Sequence, residues 1–313
     1  MNQKRKIPVV TPEMFVQDYF NKEYLAETNI NLNSFRPKDS SCYFFIRSIE
    51  EGLKLINFPK ESVKNSYYEV IFLTRGYCVV NENMIEINQC ASQIRFSPPG
   101  KIVSVAKISD DVEGFFCLFD DEFISRYAGE TNLLKSVSFF ELDAIPVLTL
   151  NEEQVTFYKT LLQRINNLYH NDFEQNKAII CSYFVSLLKE CSLNYKKVIA
   201  EESKLSSAER ISQSFIRLVN KYYLTKRDLT EYAQMLHITP KHLTKCVKQS
   251  TNKTPTDFIF QMLILEAKVL LKETDLTISE IAFSLSFDDD AYFNRFFKNI
   301  EGVTPNNYRK SVK

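Results

Sequence analysis

The pattern that most constrains this chain is written twice near its C-terminal end. Residues 237–255 read HITPKHLTKCVKQSTNKTP, and residues 286–305 read SFDDDAYFNRFFKNIEGVTP. Laid over one another, the copies share an apolar skeleton. Ala233 matches Ala282, Leu236 matches Leu285 and Ile238 matches Phe287. After one inserted residue, Leu243 matches Phe293, Val247 matches Phe297, and Thr254-Pro255 matches Thr304-Pro305. Apolar positions at this spacing are where two short helices crossing steeply touch, so each copy predicts a helix-turn-helix, at about 229–249 and 277–299.

The positions that face outward differ between the copies. They are Lys241, Thr244, Lys245 and Lys248 in the first, and Ala291, Asn294, Arg295 and Lys298 in the second. Arginine or lysine can donate to guanine in the major groove, asparagine can pair with adenine, and an alanine methyl can touch that of thymine. Lys248 and Lys298 are expected to face phosphates or solvent rather than bases. Between the copies, DFIFQMLILEAKVLLKE (257–273) reads as one helix, about 25 Å long at 1.5 Å per residue. Such a rod can hold two reading helices near the ~34 Å that separates successive major-groove segments.

Helix starts are clearly marked. Ser206 with Glu209, Asp228 with Glu231 and Thr277 with Glu280 fit capping boxes or their Asp variant. Thr239-Pro240 is an N-cap followed by proline at the first helical position. The acids Asp288–Asp290 resemble a metal cluster, but adjacent residues at a helix start point in different directions, which assigns them to capping and to the helix dipole. His237 is expected in a turn and His242 on the surface.

Charge adds a hint about partners. From Ser207 onward the chain holds 16 Lys and Arg against 12 Asp and Glu, leaving 23 against 27 before it. The mild positive excess of the C-terminal part points to an anionic partner.

Residues 207–313 resemble the DNA-binding domain of the AraC/XylS family of bacterial transcription regulators, most closely over TISEIAFSLSFDDDAYFNRFFKNIEGVTPNNYR, residues 277–309. The resemblance implies two helix-turn-helix units joined by one long helix, reading adjacent major-groove segments of double-stranded DNA. By position in the motif, Lys241, Thr244 and Lys245 correspond to base-facing residues of the first unit, and Ala291, Asn294 and Arg295 to those of the second. The chain departs from the family at Ser286 and Asn252, where glycine is usual, and at Leu263, where an arginine commonly stands. The last change removes either a phosphate contact or an internal ion pair.

The N-terminal part has another rhythm. CYFFIRSI, YYEVIFLTRG, CVVNENMIEI, IRFSPPG and GFFCLF, between residues 42 and 120, are rich in aromatic and β-branched residues. They predict short strands of an antiparallel barrel or sandwich. A weaker helical period covers residues 11–30. From Asn151 the period lengthens: Val155, Tyr158, Leu162, Ile165 and Tyr169, then, past Asn171-Asp172, Ile180, Phe184, Leu187, Leu188 and Cys191. This predicts a helical hairpin that buries its stripes on the barrel or on a second subunit. Residues 195–206 read as a linker. In order, this resembles family members that carry a cupin-like sensory barrel and a dimerising helical segment, with residues 66–100 as the central hairpins.

Several chemistries are disfavoured. The three histidines are His170, His237 and His242, so no strand offers the imidazoles of a metal-binding cupin enzyme. The clustered cysteines of the related DNA-repair methyltransferases are missing too. Seven scattered cysteines without a CxxC pair fit a reducing compartment. No stretch approaches the roughly 18 apolar residues of a membrane span, and the N-terminus lacks a signal peptide's apolar run, which together place the protein in the cytoplasm.

The expectation is therefore an α+β, multidomain transcription regulator and not an enzyme, with no cofactor and no metal. A cupin-like sensor domain occupies 1–150, a dimerising hairpin 151–194, a linker 195–206 and an AraC-type DNA-binding domain 207–313. Tyr43, Phe45, Tyr68, Arg47, Arg75 and Arg95 are candidate ligand residues, the arginines pairing an anionic effector. The expected partners are DNA, a second copy of the chain, RNA polymerase and a small-molecule effector. Two alternatives stay open: a ligand-free barrel under the control of a partner, and a helical adaptor that binds protein.

Overall fold

The computed structural model describes residues 42–312, apart from 56–59, 84, 131, 142, 143, 145 and 202–205. The helical period of residues 11–30 lies outside them. The described residues fall into two compact units, one on each side of 202–205.

The N-terminal unit holds nine strands among its described residues: β1 (Phe44–Ser48), β2 (Lys60–Lys64), β3 (Tyr68–Arg75), β4 (Tyr77–Glu82), β5 (Ile85–Cys90), β6 (Gln93–Ser97), β7 (Ile102–Ile108), β8 (Glu113–Phe119) and β9 (Val147–Thr149). They form two antiparallel sheets, ordered β1-β8-β3-β6-β9 and β2-β7-β4-β5. Between the strands, Gly76 and Asn83 both take left-handed φ, at 69° and 55°, as turns there require. Three helices accompany the sheets: α1 (Ile49–Leu55), α2 (Asp121–Ala128) and α3 (Leu133–Ser136).

The central strands β3 and β8 alternate between two buried faces. One face turns toward the second sheet. The other is covered by α4, which runs from Glu152 to Glu201 and breaks at Asp172, where φ is −164° and ψ 98°. Asp172 caps the second half, accepting from the Gln175 N–H. This break falls where Asn171-Asp172 predicted it.

The predicted stripe of α4 is buried within the chain: Tyr158, Leu162, Ile165, Tyr169, Ile180, Phe184, Leu187, Leu188 and Cys191 share one core with the strands. Phe184 meets Phe44 and Phe119 edge-on, with ring centroids 5.2 and 4.8 Å apart. The hairpin's stripes are therefore satisfied by the barrel, and hairpin and barrel share one compact unit. The linker expected from residue 195 is corrected as well. The helix continues to Glu201, because Tyr195 extends the apolar stripe one turn beyond Cys191 and packs on Phe139.

The C-terminal unit is all helical: α5 (Ser207–Tyr222), α6 (Leu229–Met235), α7 (Pro240–Thr251), α8 (Pro255–Glu273), α9 (Ile278–Ser284), α10 (Asp290–Glu301) and α11 (Pro305–Val312). The boxes Ser206/Glu209 and Thr277/Glu280 form as read. Asp228 caps α6 through the Thr230 N–H, but Glu231 pairs with Lys226 and does not close a box. A further box, Thr254/Asp257, opens α8. At about 28 Å, α8 is the connecting rod, buried along most of its length.

Candidate functional site

Two equivalent helix pairs, α6–α7 and α9–α10, are built by the same local rules. Each first helix ends in a Schellman motif. Ile238 N–H reaches Ala233 C=O at 3.0 Å and His237 N–H reaches Gln234 C=O at 3.0 Å; in the second pair Phe287 reaches Ala282 and Ser286 reaches Phe283, both at 2.9 Å. The motif needs one residue in the left-handed region, and His237 (φ 55°) and Ser286 (φ 59°) supply it. Each second helix also ends on a left-handed residue, Asn252 (φ 57°) and Gly302 (φ 77°), but in the simpler αL motif, with one bond from that residue's N–H to the carbonyl four residues back, Lys248 or Lys298. Ser286 and Asn252 thus stand where the backbone favours glycine.

The second helices, α7 and α10, match residue by residue. Over 241–250 and 291–300 the succession of buried, half-buried and exposed positions is the same. Leu243, Cys246 and Val247 face inward in one, Phe293, Phe296 and Phe297 in the other. Lys241, Lys245 and Lys248 are exposed on α7, as are Ala291, Arg295 and Lys298 on α10. Thr244 and Asn294 are half-buried and tied to their own helices: the Thr244 hydroxyl donates to Pro240 C=O at 2.9 Å, and the Asn294 amide to Asp290 C=O at 2.8 Å. Either must swing off its helix to offer its whole polar group to a base.

These faces carry cations that stay outside ion pairs. Lys226 and Lys268 are paired with Glu231 and Glu301. Among the described residues, Lys241, Lys245, Lys248, Arg295 and Lys298 are in no ion pair. Five cations outside ion pairs on two matched faces form a surface complementary to an anionic rod.

The acids at the start of α10 divide their work. Asp289 is the N-cap, accepting from the Tyr292 N–H, and Asp290 accepts from the Ser279 hydroxyl at 2.7 Å, locking α10 to α9. Asp288 lies close enough to Arg227 to oppose the lowering of that guanidinium's pKa, which burial causes. Arg227 escaped the sequence reading: it donates to Leu285 C=O and lies over the Phe287 ring at 4.1 Å. A second overlooked feature is Glu266, fully buried in α8, which accepts from the Tyr223 hydroxyl at 2.8 Å. Leu263, on the same helix, is buried too, so its position gives no phosphate contact.

In the N-terminal unit a cavity of about 90 Å³ lies inside the barrel. Its wall is apolar, with Ile71, Val80, Val105 and Phe116 among its residues, except at Glu69 and Arg95. Arg95 is fully buried and ion-paired to both Glu69 and Glu82, and Lys101 also pairs with Glu82. Burial alone would lower the Arg95 pKa, but the two glutamates hold it above its ordinary value. Its Nε and the neighbouring Ser97 hydroxyl are buried without a hydrogen bond.

The other five candidate ligand residues do not converge there. Tyr43 and Phe45 are buried in the core, Phe45 between Phe116 and Tyr169. Tyr68 packs on Phe119 and Phe140. Arg47 pairs with Glu51, and the exposed Arg75 with Asp111 and Glu113. The wall that Ile49, Gly52 and Leu53 of α1 contribute was unforeseen.

The chain is similar to several known proteins. The helix-turn-helix domain family matches residues 232–311. The HTH-type transcriptional regulator YisR of Bacillus subtilis (strain 168) is 25% identical over 254 residues, which cover 79% of this chain and 87% of YisR. The HTH-type transcriptional activator RhaS of Mannheimia succiniciproducens is 24% identical over 160 residues, 51% of this chain and 57% of RhaS. Among solved structures, the C-terminal domain of AraT, a response regulator from Geobacillus stearothermophilus, matches at 28% identity and a TM-score of 0.32, covering 34% of this chain and 88% of that one. Unsaturated fatty acid bound ToxT from Vibrio cholerae matches at 15% identity and a TM-score of 0.37, covering 89% and 98%.

Proposed function

We infer, from a C-terminal domain of the AraC/XylS type, that this DNA-binding transcription regulator reads sequence with α7 and α10 together. It is not an enzyme. The observation that carries the reading is the residue-for-residue match of the two helices, each presenting unpaired cations outward. Lys241, Thr244 and Lys245 in one groove segment, and Ala291, Asn294 and Arg295 in the next, meet bases. Lys248 and Lys298 meet phosphates.

The regulator acts in the cytoplasm as a homodimer and engages RNA polymerase at its promoters. The exposed Ile179, Tyr183 and Leu193 support dimerisation: they lie on one face of α4, opposite the stripe that the barrel buries. A small effector binds in the barrel cavity and favours one arrangement of the DNA-binding units. Its chemistry follows from the ion pairs. Two cations and two carboxylates inside the barrel cancel, so a charged headgroup would go unneutralised. The cavity suits a small, uncharged, largely apolar molecule with one acceptor for the Arg95 Nε.

Fluorescence anisotropy of the purified chain tests the reading. DNA from upstream of its own gene is compared with scrambled DNA of equal length across a salt series. Preference for the native sequence that persists at about 0.15 M salt supports it. Equal binding that vanishes with salt, with cell extract present or absent, would make the C-terminal unit a helical adaptor instead.

A further inference from the structure

The rod α8 joins the two reading units through short turns at Asn252–Thr254 and Thr274–Thr277. The rod packs on each unit, through Phe258 on Phe215 on one side and through Phe260 on Phe296 and Lys268 on Glu301 on the other. These contacts tie each unit to the rod and leave one freedom without a direct tie: rotation of one unit against the other. Two helices that must enter successive major-groove segments need that freedom removed, because the grooves differ in rotation as well as in distance.

Arg227 supplies an off-axis tie. It lies in the loop before α6, next to Asp228, the N-cap that starts the first unit. Its side chain crosses to the turn of the second unit. There it donates from Nη2 to the Leu285 carbonyl, and its guanidinium covers the Phe287 ring at 4.1 Å. Phe287 is the buried anchor of that turn and packs on Phe293 and Phe296 of α10. Rotating α10 against α7 therefore breaks a charge-assisted hydrogen bond and uncovers an aromatic face at the same moment. The second copy offers nothing equivalent in sequence: the residue before its N-cap Thr277 is Leu276, which cannot reciprocate.

We propose that Arg227 is a positioning residue for DNA recognition: by clamping the turn of the second helix-turn-helix unit to the start of the first, it fixes the base-pair spacing that the protein accepts between its two half-sites. The proposal rests on the DNA-reading account above. Arg227 touches no base. It acts through Leu285 and Phe287 on the direction of α10.

The test begins with selection of binding sites from a random duplex pool by the full wild-type chain, followed by footprinting to mark the two contacted segments. One base pair is then added or removed between the segments, which shifts them by ~3.4 Å and about a tenth of a turn. The wild type should lose about tenfold in affinity per added base pair, the size of one mismatch. Arg227→Ala should lose about threefold or less while still discriminating single base substitutions inside each segment. Arg227→Lys, which keeps the charge but not the planar stack, should fall between. If either variant folds and keeps the wild-type spacing penalty, the clamp is refuted. If Arg227→Ala loses discrimination within both segments, its unit has collapsed and Arg227→Lys carries the test: a relaxed spacing penalty in that variant supports the clamp, and a wild-type penalty refutes it. A wild type that enriches no shared sequence would instead overturn the DNA-reading account itself.

Discussion

Replacing Ser286 by glycine should stabilise the second helix-turn-helix unit without touching a single side-chain contact. Ser286 sits at φ 59° in the Schellman motif that ends α9, and its exposed hydroxyl makes no hydrogen bond to any described residue. A residue with a Cβ costs about 1–2 kcal/mol in the left-handed region. Glycine removes that cost but gives back about 0.5–1 kcal/mol through the greater freedom of the unfolded chain. The net gain is about 0.5–1 kcal/mol, which at 1.4 kcal/mol per decade slows opening about two- to fivefold. Hydrogen exchange on the full chain, followed by mass spectrometry of peptides from 277–301, reads this directly. Peptides from 42–201 should not change. Gly302→Ala, at φ 77°, is the converse control. A Cβ built there meets nothing within 4 Å, so backbone strain alone should speed opening by a similar factor. Unchanged or faster exchange in Ser286→Gly would refute the reasoning, because it would mean that the serine is held by something other than backbone geometry.

Other consequences follow from the same contacts. Lys248→Ala should weaken binding to native and scrambled DNA alike and reduce the salt slope by about one, read from anisotropy titrations at several salt concentrations. Tyr223→Phe should cost about 1.5–3 kcal/mol, measured by denaturant unfolding, since it takes a hydroxyl donor from the fully buried Glu266 carboxylate. Arg95→Met should cost about 3–5 kcal/mol by leaving Glu69 unpaired inside the barrel, and adding Glu69→Leu should restore much of it; no rescue in the double variant would mean that the ion pair is not the issue.

What the sequence discloses here is what nearby residues decide. The caps Ser206, Thr239 and Thr277, the break at Asp172 and the inward residues Leu243, Val247, Phe293 and Phe297 all follow from spacings of a few residues. The contacts that escaped it are long-range. Arg227 reaches Leu285 across 58 positions and Tyr223 reaches Glu266 across 43. Glu266 did carry a signal: a lone carboxylate within MLILEAKVLL must be buried and therefore needs a donor.

The arginines of the barrel show a different limit. Alternation puts Arg95 and Ser97 on one face of β6, but which face lines the interior depends on strand register and on α4 covering the other side. Arg75 and Arg47 look like equally good ligand residues until Asp111, Glu113 and Glu51 are found beside them. The start of the linker was misread for a related reason: Tyr195 is one buried residue at the head of a polar run, and only its packing on Phe139 reveals that the helix goes on.

The central claim is that the matched outward faces of α7 and α10 read base sequence, with Arg295 as the leading reader. The most direct measurement compares wild type and Arg295→Ala by competition binding on the native site, on single-base variants of it and on scrambled DNA, at one fixed salt concentration. The account predicts that the variant loses about 1–3 kcal/mol of discrimination at one base pair of the second segment, while its binding to scrambled DNA barely changes. A variant that discriminates every position as wild type does would contradict it.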